Sequence, residues 1–271
     1  MELPSPAVKQ GTALFNDVRA CRDEAAFWWL GQASYIVKLG SAVALVDPFL
    51  GRVEGRRVPP LFAAGDARGI VTAVLCTHNH DDHIDPAAVP ALARETEAVF
   101  VAPRAHSARM ASLGVPPHRL VALNDGETAA AGGVAVTAVK SSHELFDLGS
   151  DGLFPYLGYV MQGAGRTLYH SGDTVWWEGL QARLQRWAFD AVMLPINGRD
   201  AKRLSAGIIG NMVYQEAADL AGGLSVKLVV PMHYDMFAFN AEDPTLFVDY
   251  VRVKYPGKRV WVGEHTTRVP L

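Results

Sequence analysis

The chain has 271 residues, 49% of them hydrophobic, with a formal charge of −3 and a pI near 6.3. That length and apolar content suit one sizeable core, and the mildly acidic balance disfavours a nucleic-acid binder, which presents a basic surface. Two cysteines, Cys21 and Cys76, are too few for a disulfide framework, and no apolar run nears the ~20 residues of a membrane span.

Residues 1–10 carry two prolines and no apolar core of a signal peptide, so residues 1–25 read as an N-terminal extension and the expected setting is the cytoplasm. Short β-rich runs follow at 26–30, 34–39 and 42–46, with a turn at Leu39-Gly40-Ser41. The Gly/Arg/Pro-rich stretch 51–60 reads as an exposed loop. From residue 70 the texture changes: 70–76 is a nearly continuous apolar run, the mark of a strand buried on both faces. Helix is expected at 86–94, strand at 99–102 and helix at 104–113, before the β pattern resumes at 134–139, 158–161 and 167–169. The last third alternates, with helices at 177–187, 211–221 and 243–250 and strands at 191–195, 227–231 and 259–262. No repeat, low-complexity tract or long linker divides the chain. A hairpin-rich start followed by strand–helix alternation predicts an α/β (α+β) domain, 1–271, of two packed sheets covered by helices.

Chemistry concentrates in Thr77-His78-Asn79-His80-Asp81-Asp82-His83, directly after the 70–76 strand. His78 and His80 are two apart, so in extended backbone they face the same way and can grip one ion. Asp82 and His83 can serve a second ion nearby. Imidazole and carboxylate are the donors that borderline and hard divalent cations take. Other β-like runs also end in a potential ligand: His143, Asp173, Asn197 with Asp200, and His233. Each stands where a strand meets a loop, so the loops could converge on one rim.

The order H-x-H-x-D-H, then a His, a Gly-Asp-Thr and a late His after a strand resembles the metallo-β-lactamase superfamily. The resemblance implies a four-layer αββα sandwich of two mixed sheets flanked by helices, with a two-metal site at one sheet edge. It also implies that His78, His80 and His143 hold one ion, that Asp82, His83 and His233 hold the other, and that Asp173 bridges them. A narrower likeness is to the L-ascorbate-6-phosphate lactonase-like branch. It rests on Trp29-Leu30-Gly31-Gln32-Ala33, His83-Ile84-Asp85, Tyr169-His170-Ser171-Gly172-Asp173 and Pro231-Met232-His233-Tyr234-Asp235-Met236. The stretch Asn197-Gly198-Arg199-Asp200, running into Ile209-Gly210-Asn211-Met212, belongs to the same likeness.

The expected cofactor is therefore two divalent ions, zinc or manganese, which lower the pKa of a shared water from 15.7 to roughly 7 and make hydroxide available for hydrolysis. Asp82 and Asp173 are the expected catalytic carboxylates, Asp82 also as a proton carrier. His170 reads as a gate, a proton shuttle or a core-edge histidine, and its closeness to Asp173 places it among the expected catalytic residues. Asp81, Asp85 and Asp235 are near enough in sequence to orient imidazoles. Arg199 and Arg203 suit either a carboxylate or phosphate, which makes the expected substrate small and anionic, or a surface or structural salt bridge; Asn197, Asn211 and Tyr214 complete the expected pocket, Asn211 being also a good N-cap. His118 and His265 read as surface or packing residues. The paired tryptophans, Trp28-Trp29 and Trp176-Trp177, suit packing or a homo-oligomer contact. The leading expectation is hydrolysis of a lactone or similar ester, possibly phosphorylated in the manner of the lactonase branch. A phosphodiesterase on the same fold is the alternative, and a metal-binding sensor protein is the reading outside enzymology. Neither nucleic acid nor membrane is expected as a partner.

Overall fold

A computed structural model describes residues 7–271. Helix α1 (Gly11–Ala20) lies within the segment expected as an extension; Leu14, Phe15 and Val18 share one face of it and are buried. Strands β1 (Ala25–Trp29), β2 (Tyr35–Leu39) and β3 (Ala42–Val46) form an antiparallel meander. Strand β4 (Ala73–Leu75), helix α2 (Ala88–Glu95), strand β5 (Val99–Pro103), helix α3 (Ser107–Ser112) and strand β6 (Leu120–Leu123) extend it in parallel.

A second sheet begins with the antiparallel strands β7 (Thr128–Ala131), β8 (Val134–Lys140), β9 (Leu157–Gly163) and β10 (Arg166–His170). After helix α4 (Leu180–Leu184), β11 (Phe189–Pro195) runs parallel to β10. Helices α5 (Ala201–Ser205) and α6 (Tyr214–Gly222) lead to β12 (Val226–Met232), and α7 (Pro244–Lys254) leads to β13 (Arg259–Val260), both strands parallel. Strand β14 (Arg268–Pro270) returns to pair with β1. The sheet orders are β14-β1-β2-β3-β4-β5-β6 and β13-β12-β11-β10-β9-β8-β7.

Period-two alternation makes the layers. In β2 and β3, Tyr35, Val37, Leu39, Ala42, Ala44 and Val46 join the core between the sheets, whereas Ile36, Val43 and Leu45 face a second core with α1, α2 and α3. Helices α4, α6 and α7 pack Leu180, Leu184, Ala217, Leu220, Phe247 and Val251 with the second sheet. This is the expected αββα sandwich of two mixed sheets. No helix among the described residues is long and apolar enough to cross a membrane.

Several boundaries differ from the sequence expectation. The apolar run 70–76 yields only the three residues of β4, because Ile70 closes a turn against Ala67 O. Helix α6 starts at Tyr214 rather than 211; the Glu216 carboxylate accepts from Val213 N (3.1 Å) and so caps it. Helix α5, of five residues, falls between the strand expected at 191–195 and the helix expected at 211–221, and α1 falls in the segment expected as an N-terminal extension; neither helix is among the expected elements. Trp28 and Trp29 are buried in β1 and serve packing. Strands β3, β4, β8, β10, β11 and β12 all present their C-terminal ends to one edge of the sandwich, where Asp47, His78, His143, Asp173, Asn197 and His233 follow.

Candidate metal centre

Two departures from ordinary backbone build this edge. Asp47, just past β3, and His233, just past β12, both adopt positive φ (43° and 61°), which non-glycine residues hold only where surroundings enforce it. The enforcement is visible. Asp47 N donates to Leu75 O (2.8 Å), and His233 N donates to Gln32 O (3.1 Å). Gly172 (φ 59°) lets the chain after β10 turn toward the edge; a Cβ there would lie 2.7 Å from Leu157 O and 2.9 Å from the Thr77 side chain.

The result is a cluster of seven donors in two groups. His78, His80, His143 and Asp173 form one, and Asp82, His83 and His233 form the other, with the donor atoms of each within 4.8 Å of one another. Asp173 stands between them: Oδ1 is 3.5 Å from His83 Nε2, and Oδ2 is 3.7 Å from His143 Nε2 and 3.1 Å from His233 Nε2. Asp82 Oδ2 is 3.7 Å from His83 Nε2 and 3.8 Å from His233 Nε2.

The two groups differ in charge. Burial, reinforced by the charge on His83, holds His78 and His80 below the ordinary imidazole range, and burial brings His143 down to about 4. Burial also disfavours a charged His83, but the carboxylates of Asp82, Asp173 and Asp47 outweigh it and push that imidazolium up to about 10. His233 is raised likewise, Asp173 overriding burial. Burial alone would raise Asp82 and Asp173; the neighbouring imidazoles outweigh it and hold both below the usual carboxylate range. One group therefore offers neutral imidazoles at neutral pH, and the other holds protons that a cation must displace.

The chemistry of the donors fits divalent ions. Buried His83 Nε2 and Asp173 Oδ1 face each other at 3.5 Å, and neither has a hydrogen-bond partner among the described residues. Two buried polar atoms in that state call for a third body between them. The outer faces are held as ligands usually are. Asp47 Oδ2 receives His83 Nδ1 at 2.7 Å and Thr77 Oγ1 at 2.7 Å, while Asp47 Oδ1 accepts from Thr77 N at 2.8 Å.

Above the cluster lies a cavity of about 210 Å³, lined by His80, Asp82, His143, Asp173 and His233 and walled by Gly207, Ile208, Ile209 and Asn240. A neighbouring cavity of about 240 Å³ shares Ile208 and is lined by Asp200, Lys202, Arg203, Ala206, Ala238 and Phe239. Glu144 Oε1 accepts from Gly210 N (3.2 Å), so the segment after His143 ties to the wall segment.

A family described as a β-lactamase superfamily domain matches residues 44–234, a span that contains all seven donors. The chain belongs to the metallo-β-lactamase superfamily. Within it, the chain is similar to the UPF0173 metal-dependent hydrolase of Rubrobacter xylanophilus, at 32% identity over 231 residues, 83% of this chain and 87% of that one. The UPF0173 metal-dependent hydrolase of Myxococcus xanthus is 32% identical over 253 residues, 88% of this chain and 82% of that one. Igni18, a metallo hydrolase from the archaeon Ignicoccus hospitalis, shares the fold: TM-score 0.70 at 23% identity, covering 90% of this chain and 97% of that one.

Against this superfamily framework the other expected site residues fall differently. His170 is not on the pocket wall: Nε2 is 2.8 Å from Ala33 O, and Gly172 N donates to Nδ1 at 3.2 Å. Both ring nitrogens hold backbone, so His170 supports the Gly172 turn rather than gating the site. Arg199 lines neither cavity; its guanidinium makes two 2.7 Å bonds to the Glu216 carboxylate and a 2.9 Å bond to Asn211 O. Arg203 opens onto the neighbouring cavity only, and bonds Asn197 O and Asp200. Asn197 and Asn211 are buried and bonded to each other (3.1 Å), Asn197 also to Asn240 (2.9 Å), and Tyr214 packs on Tyr250. These residues brace the wall rather than form its surface.

Three residues at this centre were not named from sequence as site residues: Asp47, Tyr156 and Gln32, the last quoted only within Trp29-Leu30-Gly31-Gln32-Ala33. Gln32 Nε2 donates to Asp82 Oδ2 at 2.8 Å and lies 3.0 Å from His233 Nε2. The Tyr156 ring stands 5.3, 6.1 and 5.4 Å from His78, His80 and His143. Asp47 carries the same strand-end signal that marked His143 and Asp173. Tyr156 follows a 15-residue loop and carries none. Of the acids expected to orient imidazoles, Asp81 is exposed, Asp85 accepts from Leu50, Gly51 and Ala87 N–H groups, and Asp235 bonds His265 Nε2 (2.6 Å) and Gln32 N (2.9 Å).

Proposed function

We propose that the chain is a binuclear metal-dependent hydrolase that opens a lactone or cleaves a comparable small ester. The observation that carries this reading is the pair of donor groups joined by Asp173 beneath a cavity of about 210 Å³. His78, His80 and His143 would hold one ion, Asp82, His83 and His233 the other, and Asp173 both. When bound, two such ions polarise an ester carbonyl and make hydroxide available at neutral pH.

This chain's residues do the rest. Asp82, on the cavity wall and held ionised by the imidazoles beside it, accepts the proton of the attacking water and returns it to the alkoxide that leaves when the C–O bond breaks. Ile208 and Ile209 shield the reacting carbonyl from bulk water. Among the described residues no lysine or arginine lines the reaction cavity, which speaks against a phosphodiester held there. An anionic substituent, such as a phosphate carried by the lactone, belongs in the neighbouring cavity beside Lys202 and Arg203. Free buried Cys21 and Cys76 suit a cytoplasmic setting.

The test is a panel of neutral lactones, phosphorylated sugar lactones and phosphodiesters, run on metal-stripped protein re-supplied with Zn²⁺ or Mn²⁺. Turnover of lactones above phosphodiesters is expected; the reverse order would replace this reading with the phosphodiesterase one. Lys202→Ala should raise KM for phosphorylated lactones more than for neutral ones, and equal effects would remove the anion from that cavity.

A further inference from the structure

Gln32 has three features that propping up a neighbour does not explain. It sits in the loop between β1 and β2 with φ 52°, a left-handed conformation uncommon for a residue with a Cβ. Its backbone is pinned there from three sides: N donates to Asp235 Oδ1 (2.9 Å), and O accepts from His233 N (3.1 Å) and from Trp29 Nε1 (3.0 Å). Behind that, Asp235 is itself bonded to His265 Nε2. All this delivers one amide into the group of Asp82 and His233, where its Nε2 lies 2.8 Å from Asp82 Oδ2 and 3.0 Å from His233 Nε2. Its Oε1 is buried with no hydrogen-bond partner among the described residues.

An ion held by His233 through Nε2 would take the position that the Gln32 amide nitrogen now faces at 3.0 Å. The nitrogen and oxygen ends of an amide have nearly the same size and shape, so half a turn about the last side-chain bond exchanges them without new space. That turn would bring the orphaned oxygen against the Asp82 carboxylate, which repels unless a cation lies between them.

Resting on the metal-centre reading above, we propose that Gln32 is a further metal ligand, supplying its amide oxygen to the ion of the Asp82, His83 and His233 group. With the shared Asp173, that group then has three oxygen donors to two imidazoles, whereas its neighbour has three imidazoles and Asp173 alone. The oxygen-rich position favours a harder cation, manganese over zinc, relative to its neighbour.

The experiment uses the full chain, metal-stripped, and follows Zn²⁺ and Mn²⁺ uptake by competition with a chromophoric chelator and by elemental analysis after dialysis. Gln32→Asn keeps a residue that tolerates positive φ but withdraws the amide by one methylene. It should weaken one ion by about tenfold or more, leave the other unchanged and narrow the preference of the weakened position for Mn²⁺. Gln32→Glu, which keeps an oxygen in reach but cannot donate to Asp82, should bind both ions at least as tightly as wild type. The proposal is overturned if Gln32→Asn binds both ions like wild type, if Gln32→Glu loses the ion that Gln32→Asn loses, or if wild type itself takes up fewer than two. Melting of the metal-free variants reports whether each has folded, and should Gln32→Asn not fold, Gln32→Glu decides alone. Hydrolysis is not read in this experiment. A wild type that binds two ions yet opens no ester would sink the proposed function and leave the Gln32 assignment standing.

Discussion

Asp47 bonds three groups at once, His83 Nδ1, Thr77 Oγ1 and Thr77 N, while buried at a positive φ. Its charge fixes which nitrogen of His83 faces the cluster. Asp47→Asn should lower the affinity for one ion by about 10–100-fold, measured by chelator competition, with the other ion unaffected. The same contacts set a pH dependence in the ion-free protein. The folded-state pKa of His83 is raised from 6.5 to about 10, so its stabilisation is complete below pH 6.5 and is lost as pH rises through about 10. Asp82 and Asp173, held low, contribute above the ordinary carboxylate pKa and lose that contribution as pH falls. Metal-stripped protein should melt at a lower temperature at pH 10 than at pH 6.5, and His83→Gln should flatten that fall. The seven donors were legible in sequence because each follows a strand and is a His or Asp in a family order. Gln32 was not, because an amide carries no such signal until its neighbours are known.

The turn between β10 and Asp173 and the segment that walls the cavity are the elements on which the site depends. Gly172→Ala would force a Cβ within 3 Å of Leu157 O and Thr77 at a positive φ, and such strain costs about 1–3 kcal/mol. A lower melting temperature together with weakened binding at both ions is expected, since Asp173 touches both groups. Arg199 illustrates what sequence cannot separate. Beside a strand end it reads as an anion anchor, but Glu216, in the first turn of α6, takes both of its terminal nitrogens. Arg199→Ala should therefore leave KM alike for anionic and neutral esters and lower stability by a few tenths of a kcal/mol, as for partly exposed ion pairs. Helix α5 was missed because five residues carry too little periodicity, and β4 was overdrawn because apolar runs continue into turns.

Across the whole molecule, the two sheets were legible from period-two alternation and strand–helix order, which bury the same faces seen in the cores. Which strand ends would meet was not, because that depends on the packing of one sheet on the other; only the family order supplied it. Donors from both sheets close the centre, His78, His80, Asp82 and His83 from the first and His143, Asp173 and His233 from the second. Bound ions should therefore clamp the sandwich. An ion present at a hundredfold its Kd adds about 2.7 kcal/mol, so chelation should lower the melting temperature by about 5 °C or more per ion. The most direct test of the account is to titrate metal-stripped protein with Mn²⁺ or Zn²⁺ while following lactone hydrolysis and bound metal together. Hydrolysis should rise with occupancy and reach its full rate at two ions per chain; full hydrolysis without metal, or none at two ions per chain, would contradict it.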